Sequence, residues 1–201
     1  CSAEPLALGR VMQVLGLSDG FGDFLVRHPE LDALLDTESL ANPPIGMRER
    51  ILASVGVGSE EPLPIAPDNS EQVLNALRIA YRRELMAIAS RDLSGGFPME
   101  VVAGWLADLA DCVLAAALSV ARAGVTEPTC PVAIIAMGKT GGRELNYVSD
   151  VDVIFATDST ESVEMATQIA RGVINVCGAV TSEGAIWEVD TALRPEGKQV
   201  A

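Results

Sequence analysis

The sequence has 201 residues, of which 49% are apolar and 4% aromatic, a composition typical of a globular chain with an aliphatic core. Acidic residues outnumber basic ones by 28 to 14, and the net charge of −14 argues against binding to nucleic acid or to an anionic membrane. The four cysteines show no CxxC pair and no zinc-ligand spacing, so we expect free, mostly buried thiols and a cytoplasmic protein.

The first two thirds of the chain have the apolar spacing of helices. Shorter helices are predicted over residues 4–18 and 20–35. A stretch rich in proline and glycine, about residues 56–70, is interpreted as a linker. Long helices are predicted from about Glu71 to Ala89 and from about Met99 to Ala123.

The two long helices are joined by a short turn, so we expect them to pack antiparallel. Arg78, Arg82 and Arg83 fall mostly opposite the apolar stripe of the first of them, which predicts a solvated face. The second is strongly apolar, but Asp108 and Asp111 interrupt it and argue against a membrane span.

After residue 126 the pattern changes to short apolar runs typical of strands. We predict strands over residues 132–137, 151–157 and 185–193, with a helix over 161–177. This order indicates an α/β or α+β fold. We therefore divide the chain into a helical region, residues 1–126, and a second unit, residues 127–201, that we expect to be cut short at its C-terminus.

The first predicted strand runs into a glycine-rich turn that contains Gly138, Lys139, Gly141 and Gly142. Glycine permits positive φ and a close approach of the backbone to a ligand. If a helix opens over residues 142–145, its free N–H groups would form an anion site.

Three aspartates are the candidate metal ligands. Asp150 and Asp152 are two residues apart at the second predicted strand, so both carboxylates project from one face. Asp190 lies in the third predicted strand, and the three carboxylates converge if the two strands are neighbours. Three carboxylates suit a magnesium site for phosphoryl transfer. Both lysines of the chain, Lys139 and Lys198, lie at the edges of these motifs.

A glycine turn followed by a D-h-D strand (h, hydrophobic) and a later strand aspartate resembles nucleotidyltransferases of the DNA polymerase β type. Two segments, MGKTGGRELNYVSDVDVIF and EVDTALRPEG, resemble more closely the motif blocks of the bifunctional glutamine synthetase adenylyltransferase/adenylyl-removing enzymes. The helical segments YRRELMAIASRDL and FLVRHPELDALL also resemble that family, so the resemblance covers nearly the whole chain. It implies an α+β fold, with an N-terminal helical region followed by a mixed sheet with flanking helices.

The resemblance also implies roles for individual residues. Asp150, Asp152 and Asp190 would bind Mg²⁺, or alternatively Mn²⁺, and Asp190 could also orient the attacking oxygen. Gly138, Gly141 and Gly142 would let backbone amides approach the phosphates of ADP or ATP, and Lys139 would neutralise charge there. Arg194 would hold either a phosphate or the strand of Asp190, and Ser149 is the remaining candidate. For Ser149 a phosphate contact and a turn-capping role are equally open, and Glu144 and Asn146 are expected to fix the turn.

The family has two similar catalytic halves, and this chain has room for one. Its sequence resembles the half that removes AMP from a tyrosine of glutamine synthetase by phosphorolysis, which releases ADP. Adenylylation from ATP by the other half, and a module that only senses nucleotides, remain alternatives. The implied partners are glutamine synthetase and, as a regulator, the PII signalling protein.

Overall fold

The computed structural model describes Gly16 and residues 18–29, 42–93 and 96–191. Most of the helix predicted over residues 4–18 lies outside the described residues, as do Arg194 and Lys198. Within them the chain has the α+β class, with helices first and a small mixed sheet afterwards.

The helical part contains α1 (Asp19–Arg27), α2 (Met47–Ser54), α3 (Glu71–Leu93) and α4 (Met99–Ala123). The α3 helix starts where predicted and runs four residues further. The hydroxyl of Ser70 accepts a hydrogen bond from the N–H of Val73 (3.5 Å), a side-chain cap for the start of α3. The backbone just before α3 bonds to the end of α4, through the N–H of Ala66 and the carbonyl of Ser119 (3.0 Å), so the two helices are antiparallel as predicted.

Residues 57–70, most of the predicted linker, form no helix or strand, but they are not a free tether. Val57 and Ala66 are buried in the main hydrophobic core. Prolines and glycines stop regular structure here, while the apolar residues between them still pack.

The helix α4 is long and apolar enough to cross a membrane by length and composition, with a mean hydropathy of 1.8 over its best window. However, 61% of that window is buried inside the fold, where α2, α3 and α6 (Val163–Gly178) contact the helix. This burial is typical of the central helix of a protein core.

The sheet consists of β1 (Ala133–Ala136), β2 (Val151–Ala156) and β3 (Val189–Asp190), in that spatial order. Strand β1 pairs antiparallel with β2, and β2 pairs parallel with β3. A single helical turn, α5 (Gly138–Gly141), follows β1. Val151 and Val153 are completely buried, so the other face of β2 carries the polar residues.

The third strand was predicted over residues 185–193 and is much shorter, since among the described residues only Val189 and Asp190 pair. In the parallel register Val189 lies opposite Val151, the first residue of β2. Residues before 189 would have to pair with residues before 151, which form a turn at 147–148 and no strand. The ladder therefore has no partner there.

The prediction of a solvated arginine face is wrong for Arg78, which is 0% exposed. Its guanidinium donates to the carbonyls of Leu74, Val176, Ala179 and Gly184. Burial lowers the pKa of Arg78, and the four carbonyl acceptors compensate for lost water. Arg78 thus holds the chain segment that leaves α6 and leads to β3.

Candidate functional site

The three aspartates are brought together by the parallel pairing of β2 and β3. Asp152 lies directly opposite Asp190 in the register, and Asp150 immediately precedes β2. One carboxylate oxygen of each residue lies within 4.8 Å of those of the other two. Asp150 is exposed, whereas Asp152 and Asp190 are half-buried.

Such proximity is unfavourable for three anions alone. Two unit negative charges 4.8 Å apart repel by about 3 kcal/mol at an effective dielectric constant of about 20. A divalent cation between them reverses the sign of this energy. Carboxylate oxygens are the ligands that hard ions such as Mg²⁺ and Mn²⁺ prefer, so the donor set fits the ion expected from the sequence.

The glycine turn lies directly against this cluster. Gly138 has a φ of +51°, and a Cβ added there would collide with the carboxylate of Asp152. The N–H of Met137 donates to the carbonyl of Asp152 (2.9 Å), which joins the turn to β2 through the backbone. Glycine is therefore required at 138 both by its φ and by the space that the carboxylate occupies.

The rest of the turn departs from the sequence expectation. The helical turn spans Gly138–Gly141 rather than opening over residues 142–145, because Arg143 adopts a φ of 59° and reverses the chain. The N–H groups of Gly141 and Gly142 donate to the carbonyls of Met137 and Gly138, so they are used within the turn. Gly141 and Gly142 carry no side chain that could block access to the turn. The side chain of Lys139, which ends in an ammonium group, is exposed beside them.

Asn146 and Ser149 shape the loop that leads to Asp150. The side-chain oxygen of Asn146 accepts hydrogen bonds from the hydroxyl of Ser149 (2.8 Å) and from the N–H of Val148 (3.1 Å). These bonds place the side chains of Asn146 and Ser149 within the turn, while a phosphate contact of Ser149 stays a prediction.

Arg143, one of the few basic residues near the glycine turn, points towards α4. It forms a two-pronged ion pair with Asp108 (2.8 and 2.9 Å). Both side chains are about half exposed, so the pair contributes less than about 1 kcal/mol. Its effect is to attach the glycine turn to the long helix.

A groove of 560 Å³ in the helical part was not predicted. It lies between α1, α3 and two loop segments, one with Tyr147 and Val148 and the other with Ala185 and Ile186. The hydroxyl of Tyr147 donates to Asp92 (3.0 Å), and burial, followed by this hydrogen bond, raises the pKa of Tyr147. Asp92 and Tyr147 are 55 positions apart, so no local pattern links them.

Comparison with known proteins adds independent information. The family model described as glutamate-ammonia ligase adenylyltransferase matches residues 8–201. Three similar curated proteins are each named bifunctional glutamine synthetase adenylyltransferase/adenylyl-removing enzyme. They come from Streptomyces avermitilis (41% identity, 98% of this chain), Cutibacterium acnes (39%, 94%) and Ralstonia nicotianae (37%, 98%). The chain spans only 19–20% of the length of these relatives.

Proposed function

The chain belongs to the glutamate-ammonia ligase adenylyltransferase family, and from this we propose that its three carboxylates bind Mg²⁺ and support transfer of an AMP group. The observation that carries the proposal is the approach of Asp150, Asp152 and Asp190 to within 4.8 Å beside a glycine turn. Mn²⁺ is the alternative ion, because it accepts the same oxygen ligands.

The direction that we propose is removal of AMP from a tyrosine of glutamine synthetase. The segment GGRELNYVSDVDVIF, together with RHPE nearer the N-terminus, resembles the removing half of the family. This resemblance supports the proposed direction. An oxygen of inorganic phosphate forms a bond to the phosphorus of the AMP group, and the bond from that phosphorus to the tyrosyl oxygen breaks. The products are ADP and a tyrosine whose oxygen takes up a proton.

The residues of the chain have separate tasks in this scheme. The three carboxylates hold the ion, which when bound would stabilise negative charge on the entering and leaving oxygens. Gly138 has no side chain and so leaves space for the carboxylate of Asp152, and the positive charge of Lys139 attracts phosphate. A phenol has a pKa of about 10 and leaves with little acid assistance, so a histidine is not needed. The single histidine, His28, instead lies 3.3 Å from a carboxylate oxygen of Glu183.

Two measurements test the proposal separately. Calorimetric titration with Mn²⁺ tests the site, and Asp152→Asn and Asp190→Asn are each expected to weaken binding by at least about tenfold, since each removes a charged ligand. Asp158→Asn is the matched control, because this exposed aspartate lies beyond the other end of β2. Equal Mn²⁺ affinity in all four proteins would refute the metal site.

The reaction is tested with glutamine synthetase that carries labelled AMP on its tyrosine. Phosphate-dependent release of the label as ADP supports removal, whereas loading of the label from ATP supports adenylylation. Nucleotide binding that requires the metal ion but leads to no turnover would favour a sensing module. Whichever reaction the wild-type protein catalyses, its loss in Asp152→Asn but not in Asp158→Asn assigns it to the carboxylates.

A further inference from the structure

A second pocket, of 310 Å³, lies between α2, α3 and the residues that precede α2, and it is rich in arginine. Arg83 and Arg91 lie eight residues apart on one face of α3, with the small side chain of Ala87 between them. Arg50 of α2 enters the same pocket beside Glu84. A small residue between two long cationic ones leaves a concave, positively charged space.

The hydrogen bonds of these arginines differ. Both carboxylate oxygens of Glu84 accept hydrogen bonds from Arg50 (2.7 and 2.8 Å), so Glu84 is paired with Arg50. Arg91 donates to the carbonyls of Asn42 and Ala87 (2.7 and 2.6 Å). Within the described residues the side chain of Arg83 has no hydrogen-bond partner, and its buried Nε is left without an acceptor.

A buried guanidinium N–H without an acceptor, like the Nε of Arg83, is costly because the group keeps its proton and has lost its bond to water. Burial is also the main cause that lowers the pKa of Arg91, another arginine of this pocket. The cost is notable in a chain with only 14 basic residues against 28 acidic ones. A bound anion would offset it.

The arginine pocket is separate from the groove of 560 Å³ between α1 and α3. The two spaces share no lining residue: on α3 the groove is lined by Tyr81, Arg82, Leu85, Ala89, Asp92 and Leu93, and the arginine pocket by Arg83, Glu84, Ala87 and Arg91. Residues two positions apart on a helix point about 200° apart, so the two spaces lie on different sides of α3.

We propose that the arginine pocket binds a small oxyanion, a phosphate or a carboxylate group, with Arg83 as the principal donor. Guanidinium and oxyanion meet through two parallel N–H···O bonds, which satisfies the unused donors of Arg83. The volume of 310 Å³ is at the lower end of the usual range for ligand pockets, about 300–1,000 Å³, and matches a small molecule. The proposal does not depend on the AMP-transfer reaction.

The test is calorimetric titration of the protein with inorganic phosphate and, separately, with succinate at constant ionic strength, after treatment with EDTA and dialysis into metal-free buffer without EDTA. The treatment removes metal ions from the aspartate cluster, so phosphate has no ion to bind there, and the dialysis removes EDTA, whose carboxylates would compete for the pocket. Arg83→Gln removes the charge at similar length and should weaken binding by at least about tenfold. Arg48→Gln makes the same change of charge at an exposed position on α2 outside the pocket and should bind as the wild type does.

Each outcome decides the matter. Binding of phosphate alone assigns a phosphate-bearing ligand, binding of succinate alone assigns a carboxylate, and binding of both assigns a general oxyanion site. If neither probe binds more tightly than about 10 mM, or if Arg83→Gln binds as tightly as Arg48→Gln, the proposal is refuted. Circular dichroism of both variants excludes a loss of fold as the cause.

Discussion

Replacing Gly138 by alanine tests whether the glycine turn and the metal carboxylate compete for the same space. The φ of +51° costs an alanine about 1–2 kcal/mol. The collision of the new Cβ with the Asp152 carboxylate adds about 1–3 kcal/mol, the usual cost of overpacking, unless the carboxylate turns away from the cluster. We therefore expect Gly138→Ala to lower the free energy of unfolding by about 2–5 kcal/mol.

The two contributions separate in a double-mutant cycle measured by urea denaturation. In an Asp152→Ala background the carboxylate is gone, so Gly138→Ala should cost only the backbone strain, about 1–2 kcal/mol. The expected coupling is thus about 1–3 kcal/mol. Gly178→Ala is the control, since nothing lies within 4 Å of a Cβ there, and it should be neutral or stabilising. An equal cost of Gly138→Ala in both backgrounds would falsify the steric explanation.

Three further outcomes are expected from packing and burial. Gly172→Ala should cost about 1–3 kcal/mol in urea unfolding, because its Cβ would lie 2.8 Å from that of Ala121 and force α4 and α6 apart; an unchanged midpoint contradicts this. Arg78→Met should cost about 3–5 kcal/mol by the same measurement, since it leaves buried carbonyls without donors, and a cost below about 1 kcal/mol would exclude that role. Burial raises the pKa of Cys177 from 9.0 to about 12 and that of Tyr81 from 10.0 to about 12. The folded state therefore keeps protons that the unfolded state releases, so the urea midpoint should fall as pH rises above about 9, and less steeply in Cys177→Ala; a flat profile to about pH 10.5 opposes this.

Local patterns predicted the elements that carry the candidate site. Alternation at Val151, Asp152 and Val153 indicates a strand with one buried face, and β2 has that form. The glycines after β1 predict a turn with positive φ, and Gly138 adopts it. Both signals come from neighbouring residues and backbone sterics, which a sequence displays directly.

The features that the sequence did not predict depend on partners far along the chain. The helical pattern predicts Arg78 to be a surface residue, because its acceptors at Val176, Ala179 and Gly184 lie about 100 positions away in the sequence. The length of β3 is limited by where β2 begins, which the composition of residues 185–193 does not reveal. The arginine pocket likewise needs the packing of α2 on α3.

The buried arginine of α3 has a practical consequence for experiments on shorter polypeptides. A polypeptide starting at residue 127 would retain Asp150, Asp152 and Asp190, yet it would lack the guanidinium that organises the backbone in front of Asp190. It would also leave Val151 and Val153 without the α4 side chains of the core that they share. Such a truncated polypeptide is a poor surrogate for studying ion binding, although it carries every acidic ligand.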